Sequence, residues 1–269
     1  MKTQIKVVKD LQKVVNFFSK RLRFDKFIKS TGRKLAITIE DAITLFLFKQ
    51  GQGIVTKKSV YQIFKDKLKC AYKTFVVSLN RWASLAATVI FLLLKINRKA
   101  QHLVKHIDST DIPVCLFKNA YKHKTMKELS NYGRSSKGVY FGLKLHLIAD
   151  LTRKILAIKI TSANVDDRDV VVELSEEIAG FLIADAGYVK EKLQREFYQE
   201  HKRILIVKPR KNMKKIMTKF EEELYNTRML IELNFRNLKM FYGLVTSLPR
   251  SVNGYLANYI FSLLAYQIA

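Results

Sequence analysis

Residues 138–164 read GVYFGLKLHLIADLTRKILAIKITSAN. Two β-rich runs, Gly138–Asp150 and 154–164, flank Leu151-Thr152-Arg153, which has the character of a hairpin turn. Upstream, QHLVKHIDST (101–110) reads as a strand ending at Asp108. Downstream, VDDRDVVVELSEEI (165–178) reads as a helix and GFLIADAGY (180–188) as a short apolar strand that stops at Asp185. VKEKLQREFYQEH (189–201) is an amphipathic helix and RILIVKPR (203–210) another strand. One long helix is expected over 213–241. The order is therefore β, β, β, α, β, α, β, α. Three meander strands followed by α/β crossovers predict a mixed five-stranded sheet with helices on its faces.

That element order is the order of the ribonuclease-H-like fold. Before it, residues 1–100 read as an all-α N-terminal domain. TIEDAITLFLFKQ (38–50) opens on Thr38, an N-cap candidate, with Glu40 and Asp41 in the first turn. Gly51-Gln52-Gly53 breaks it, and Thr56 is a second cap candidate. Short helices with a basic third member are compatible with a helix-turn-helix that binds DNA. They are equally compatible with a structural helical lobe. Residues 101–269 are expected to form the second domain, closed by a C-terminal core helix over 255–269.

Composition narrows the partners. Lys and Arg number 49 against 23 Asp and Glu, a net charge of +26. Charge of that size says nothing about fold, but it favours nucleic acid first and an anionic membrane surface second. Codon bias explains lysine over arginine, not the scarcity of acids. The 48% hydrophobic content supports a packed core. Two cysteines without CxxC or a Cys/His cluster fit a reducing compartment and argue against zinc. The N-terminus lacks the apolar run of a signal peptide. The longest apolar run, WASLAATVIFLLL (82–94), is shorter than the ~20 residues a membrane span needs, so no membrane is expected.

Asp108 and Asp185 both close strands in this reading, and ligands of open α/β sheets gather outside the carboxyl ends of strands. Two adjacent carboxylates repel unless a cation sits between them, and hard oxygen ligands suit Mg²⁺ or Mn²⁺. A third carboxylate would complete a site for two metals ~3.5–4 Å apart, the arrangement of phosphoryl transfer. Glu232 is the candidate. Projected at 100° per residue on one continuous helix, Tyr225, Arg228, Glu232, Arg236 and Lys239 share a stripe beside the apolar face. An isolated Arg-x-x-x-Glu is more often a surface ion pair.

Other residues have blander readings. Asp150 reads as a hairpin residue, and Asp166, Asp167 and Asp169 as first-turn acids of a helix. Asp111 could support a metal site or face solvent. His146 lacks a partner at ligand spacing. The run 201–219 holds eight Lys/Arg and no acid, a solvated face or a phosphate track.

At this point the chain resembles a known family. Tyr225-x2-Arg228-x3-Glu232-x6-Lys239 matches the Y-R-E-K signature of bacterial DDE transposases related to the IS4 group. IDSTDIPVC, GRSSKGVYFGLKLHLI, TSANVDDRDVV, IADAGYV and LPRSVNGYLANYIFSLLAY look like the IS982 insertion-sequence family. The resemblance covers residues 103–269 and is looser before them. It departs at ADAGY, where Ala184 stands in place of a glycine. It implies a ribonuclease-H-like core whose catalytic, metal-binding triad is Asp108, Asp185 and Glu232. Tyr225, Arg228 and Lys239, with Arg236 beside them, would contact DNA. The implied enzyme is a DDE transposase working by a two-metal mechanism, in which one metal activates water or a DNA 3′-hydroxyl and the other stabilises the leaving oxygen. Only 46 residues separate Asp185 from Glu232, which leaves no room for a large insertion domain. The implied partners are double-stranded DNA, as the element's terminal inverted repeats and the target, and further copies of the chain. The implied setting is the bacterial cytoplasm, at the nucleoid. The rival readings are a catalytically inactive or domesticated DNA-binding descendant of a transposase, and a metal-dependent DNA nuclease.

Overall fold

The computed structural model describes residues 2–28, 31–32, 34–199, 203–209, 213 and 216–269. They group into two compact units, Met1–Leu92 with Asn237–Ala269, and Leu93–Arg236.

The first unit is helical. Its helices are α1 (Lys2–Leu22), α2 (Ile39–Gly51), α3 (Lys57–Ile63), α4 (Tyr72–Arg81) and the start of α5 (Ala83–Lys99). Thr38 and Thr56 cap as their sequence positions predict. Each hydroxyl accepts a backbone N–H three residues on, from Asp41 and Ser59, at 3.0 Å. α2 carries apolar residues all round, from Ile39 to Phe48, and is correspondingly buried on every side. α1, α4 and the chain's closing helix pack on it, and Phe46 stacks on Phe261 of that closing helix with ring centres 4.2 Å apart. By length and composition Tyr72–Lys99 is apolar enough to cross a membrane. Phe75, Leu79, Leu85, Ala86, Val89 and Ile90 are buried within the protein, while Val77, Phe91 and Ile96 are exposed.

The second unit is built on a six-stranded sheet. The strands are β1 (Val104–Pro113), β2 (Asn131–Ser135), β3 (Gly138–Asp150), β4 (Ile155–Ser162), β5 (Phe181–Ala184) and β6 (Ile204–Val207). β3 pairs β1 along one edge. Its other edge is shared, with β2 against residues 138–142 and β4 against 143–149. β1 pairs β5 and β5 pairs β6, both parallel. β3 alone therefore runs against the other five. The parallel steps are made by α6 (Asp167–Leu174) and α7 (Glu191–Gln199).

Two expectations change here. The sheet has six strands, not five, because NYGRS (131–135) pairs with the start of β3. It is a short edge strand without apolar alternation, so periodicity does not announce it. The long helix over 213–241 is two helices, α8 (Lys219–Asn226) and α9 (Met229–Met240). At the break Thr227 turns its hydroxyl back onto the Leu224 carbonyl (2.6 Å), and the amides of Thr227 and Leu230 bond three residues back. The chain ends in α10 (Val252–Ile268), which packs against α2 and α4.

β1 and β3 approach closely at Gly142. A Cβ there would lie 2.2 Å from the Ile112 carbonyl oxygen on the paired strand. Gly142→Ala should lower stability by about 3 kcal/mol or prevent folding, since backbone cannot yield as a side chain does. Urea unfolding followed by circular dichroism checks it, and an unchanged midpoint would refute the clash.

The strand period of two divides the sheet's side chains between two cores. Ile107, Leu182, Ala184, Leu205 and Val207 face α6 and α7, where Val171, Leu174 and Phe197 are buried. Val104, Ile183 and Ile206 face the other way, against Leu224 and Tyr225 of α8. That second face holds the site.

Candidate active site

Asp108 follows Val104 and His106 by the strand period, so it lies on the α8 face. It is inside β1, not at the strand's end, because residues 109–113 go on pairing with β3. What stops earlier is the pairing of β1 with β5, whose last partners are His106 and Ile183. Two residues further in the same parallel register, Asp108 and Asp185 correspond. Asp185 also follows Phe181 and Ile183 by the period of two, which gives it the same face. Its side chain caps the turn after β5 by accepting the Gly187 N–H.

The Asp108 carboxylate is 18% exposed. Oδ1 accepts the Ser109 N–H at 2.8 Å, and Oδ2 accepts from Arg228 Nη1 at 2.7 Å. Burial pushes its pKa up to about 6, against the pull of Arg228, and the Asp185 carboxylate pushes the same way. Arg228 also donates through Nη2 to Glu232. Burial opposes its charge, but Asp108, Glu232, Tyr225 and Asp185 together hold its pKa above the ordinary guanidinium range. The guanidinium thus bridges Asp108 on the sheet to Glu232 in the first turn of α9. Glu232 itself is 56% exposed.

The structure brings Asp108, Asp185, Arg228 and Glu232 into one electrostatic group. It does not gather three carboxylates around one point. Among the described residues no three His, Cys, Asp or Glu side chains form a cluster able to hold a metal ion. The break at Thr227 sets Tyr225, on α8, apart from Arg228, Glu232, Arg236 and Lys239, so the five do not lie on one continuous helix. Tyr225 ends α8, half-buried on the Val104 and Ile183 core, with Lys208 Nζ 5.2 Å from its ring centre. Arg236 is exposed on α9. Lys239 is in the last turn of α9, within the first compact unit.

Two residues that sequence reasoning passed over hold this arrangement. His106 is fully buried, and its Nε2 meets Thr227 Oγ1 at 2.7 Å. The Thr227 hydroxyl donates to Leu224, so His106 Nε2 carries the proton and Thr227 accepts it. Burial, then the Arg228 charge, push the imidazole down to about 4. A neutral histidine thereby pins the helix break next to Arg228. The signal was present in LVKHID: a histidine two residues before an aspartate in a strand shares its face.

The opposite face carries a second polar group. Asp166 caps α6 through the Arg168 N–H (2.9 Å), as a first-turn acid should. Its neighbour Asp167 does more, accepting from Lys144 Nζ (2.9 Å) and Ser109 Oγ (2.8 Å) beside buried His146. Burial pushes His146 down to about 4, with Asp167 opposing and Lys144 and Lys159 assisting. Its Nε2 bonds Thr161 Oγ1 at 2.9 Å, a structural role. Asp150 likewise serves its hairpin, accepting the N–H groups of Thr152 (2.8 Å) and Lys154 (3.0 Å).

His146 gives a pH dependence. Below about pH 6.5 the unfolded chain takes up a proton that the folded chain refuses until about pH 4, so stability falls across that window. His146 should account for ~2–3 kcal/mol of that loss, and His146→Gln should reduce the slope by this share while buried His106 keeps its own. Denaturation midpoints measured at pH 7 and pH 4.5 test this; an equal slope in both proteins would refute it.

Of the basic run 201–219, His201, Lys202, Arg210, Lys211, Lys214 and Lys215 lie outside the described residues. Arg203 is buried, with Nη1 on Ser175 Oγ (2.9 Å) and its guanidinium 4.9 Å from the Phe197 ring centre, so it serves the core. Lys219 is exposed.

No curated protein matches the chain. The sequence profile of one family, described as a transposase DDE domain, matches residues 98–252. The match takes in β1, β5 and α9, and with them all three acids. It spans more than half of the 269 residues, and the chain belongs to the transposase DDE-domain family.

Proposed function

We propose that the chain is a transposase that cuts and joins DNA at the ends of an insertion sequence, with Asp108, Asp185 and Glu232 as its catalytic carboxylates. The observation that carries this is the meeting of Asp108 and Asp185 on one sheet face in a chain of this family. The strand path β4-β3-β1-β5-β6, with β3 reversed, supports a ribonuclease-H-like core. The Tyr225, Arg228, Glu232 and Lys239 spacing supports an IS4-related transposase, and stretches such as IDSTDIPVC and TSANVDDRDVV support the IS982 family. Residues 1–100 would add DNA contacts, and residues from 101 onward the catalysis.

The donor set fits a hard divalent cation. Asp108 and Asp185 are hard oxygen ligands, and burial pushes the Asp108 carboxyl up, a penalty that a bound cation would offset. They and Glu232 would hold Mg²⁺ or Mn²⁺, which when bound supplies charge neutralisation at the attacking and leaving oxygens. The protein's own part is positioning. Arg228 orients the carboxylates of Asp108 and Glu232, and the His106–Thr227 bond holds Arg228 where it can do so. Tyr225, Arg228, Arg236 and Lys239 would bind phosphates near the element's end. No side-chain nucleophile is needed, because phosphoryl transfer depends mainly on position and charge. The chain would act as a multimer on paired DNA ends, in the bacterial cytoplasm at the nucleoid.

The test is a duplex carrying the element's end, incubated with the full chain and Mg²⁺. Nicking at the element boundary followed by joining to a second duplex is expected. Binding without cleavage would overturn the reading, and cleavage without joining would leave a nuclease.

A further inference from the structure

The helical unit contains a cavity of about 470 Å³ with an unusual charge balance. Lys49, Lys57, Lys58 and Arg250 line it, and among the described residues no Asp or Glu does. Lys49, in the last turn of α2, is only 5% exposed. Its Nζ donates to Gln50 Oε1 at 2.7 Å. Gln50 is itself held by Asn258 of α10, donating to the backbone oxygen (3.0 Å) and to Oδ1 (3.1 Å). Lys57 opens α3 and donates to Asn80 Oδ1 at 2.5 Å. Both ammonium groups attend the Phe46 ring, Lys57 at 4.6 Å and Lys49 at 5.9 Å from its centre.

One buried and one partly buried cation thus share one small space, with neutral amide oxygens as acceptors and no carboxylate partner among the described residues. Such an arrangement is unfavourable by itself, because burial and mutual repulsion both penalise the charged forms. The effect is visible in both lysines: burial pushes Lys49 down to about 8, and burial with repulsion from Lys49 pushes Lys57 to about 7. A dianion entering the cavity would offset both penalties at once. A carboxylate carries one charge, whereas a phosphate monoester brings close to two, and any phosphate offers several acceptor oxygens. The cavity is larger than one phosphate and leaves room for the group attached to it, beside Tyr72.

We propose that this cavity binds a phosphate group. The source is either a free phosphomonoester, which carries both charges on one group, or the DNA backbone, whose neighbouring phosphodiesters bring one charge each. None of Asp108, Asp185 and Glu232 lines this cavity, and its test needs no DNA cleavage.

The full chain is titrated calorimetrically at pH 8 with inorganic phosphate, a 5′-mononucleotide and a short duplex of arbitrary sequence. Saturable binding of a phosphate-bearing probe is expected, with proton uptake read from the dependence of heat on buffer ionisation. Lys49→Met and Lys57→Met should each weaken it by about tenfold or more, as loss of a charged hydrogen-bond partner does. Both variants remove a shielded charge that has no acidic partner among the described residues, so they should fold at least as well as wild type. Lys13→Met, at an exposed position on α1, is the charge-matched control and should change nothing. Loss of duplex binding in the pocket variants, with competition by inorganic phosphate, assigns the backbone. Mononucleotide binding that the duplex does not displace assigns a free ligand. No saturable binding of any probe overturns the proposal, as does unchanged binding in both pocket variants or an equal loss in the control.

Discussion

Asp108→Asn and Asp185→Asn should each reduce DNA cleavage by about 10³-fold or more in Mg²⁺, and Glu232→Gln should do the same. Each substitution keeps the side chain's shape and removes the charge that a divalent cation and the displaced phosphate oxygens would need answered. The stability consequences should differ from the catalytic ones. Glu232 is 56% exposed, so Glu232→Gln should move the unfolding free energy by no more than about 0.5 kcal/mol. Asp108→Asn removes a carboxylate whose charged form is already disfavoured by burial, and Arg228 keeps Glu232 as a partner. Its stability should stay within about 1 kcal/mol of wild type. Cleavage of an end-labelled duplex, measured beside thermal melting, separates the two effects. Cleavage retained in all three variants would remove the carboxylates from the mechanism. Lost cleavage with lost melting cooperativity would make them structural.

The sequence was informative where a residue's role depends on its near neighbours. Thr38, Thr56 and Asp166 cap their helices as their positions predict, and Asp150 serves a hairpin. Those roles are decided within four residues. Asp108 and Asp185 read as companions because both close strands in the sequence pattern, and the parallel register of β1 and β5 sets them at corresponding positions although β1 runs on. Roles that depend on a distant partner were not legible. Asp108 reads as a strand end because IDST turns polar, yet β1 continues to Pro113 since residues 109–113 find β3. NYGRS becomes a strand only because the start of β3 leaves one edge free for it. The break at Thr227 is invisible to a helical projection. A hydroxyl bonding back to Leu224, with His106 of β1 donating to it, ends one helix where the apolar spacing would continue it. The consequence for the site is specific. Glu232 was expected to meet the two aspartates directly, whereas Arg228 stands between Glu232 and Asp108.

Arg228→Met should destabilise the protein by about 2–4 kcal/mol in metal-free buffer. The guanidinium is 17% exposed and is the positive group bonded to the Asp108 carboxylate. Removing one partner of a shielded ion pair leaves the other as an uncompensated charge, which costs more than the pair was worth. Asp185 worsens the position, since it already pushes against Asp108. The double variant Asp108→Asn with Arg228→Met should therefore recover most of the loss, because no buried charge is then left unanswered. A double variant as unstable as the single one would mean that Arg228 acts through packing alone. Mg²⁺ provides a second discrimination. If the carboxylates bind a divalent cation, the cation stands in for the missing guanidinium, and Mg²⁺ should raise the Tm of Arg228→Met more than that of wild type. In the double variant the increment should shrink, because Asp108 no longer offers a charge. Equal increments in all three proteins would show that Mg²⁺ acts elsewhere. Cleavage by Arg228→Met should stay low even at saturating Mg²⁺, since the cation can replace the charge of Arg228 but cannot hold Glu232 in register with Asp108.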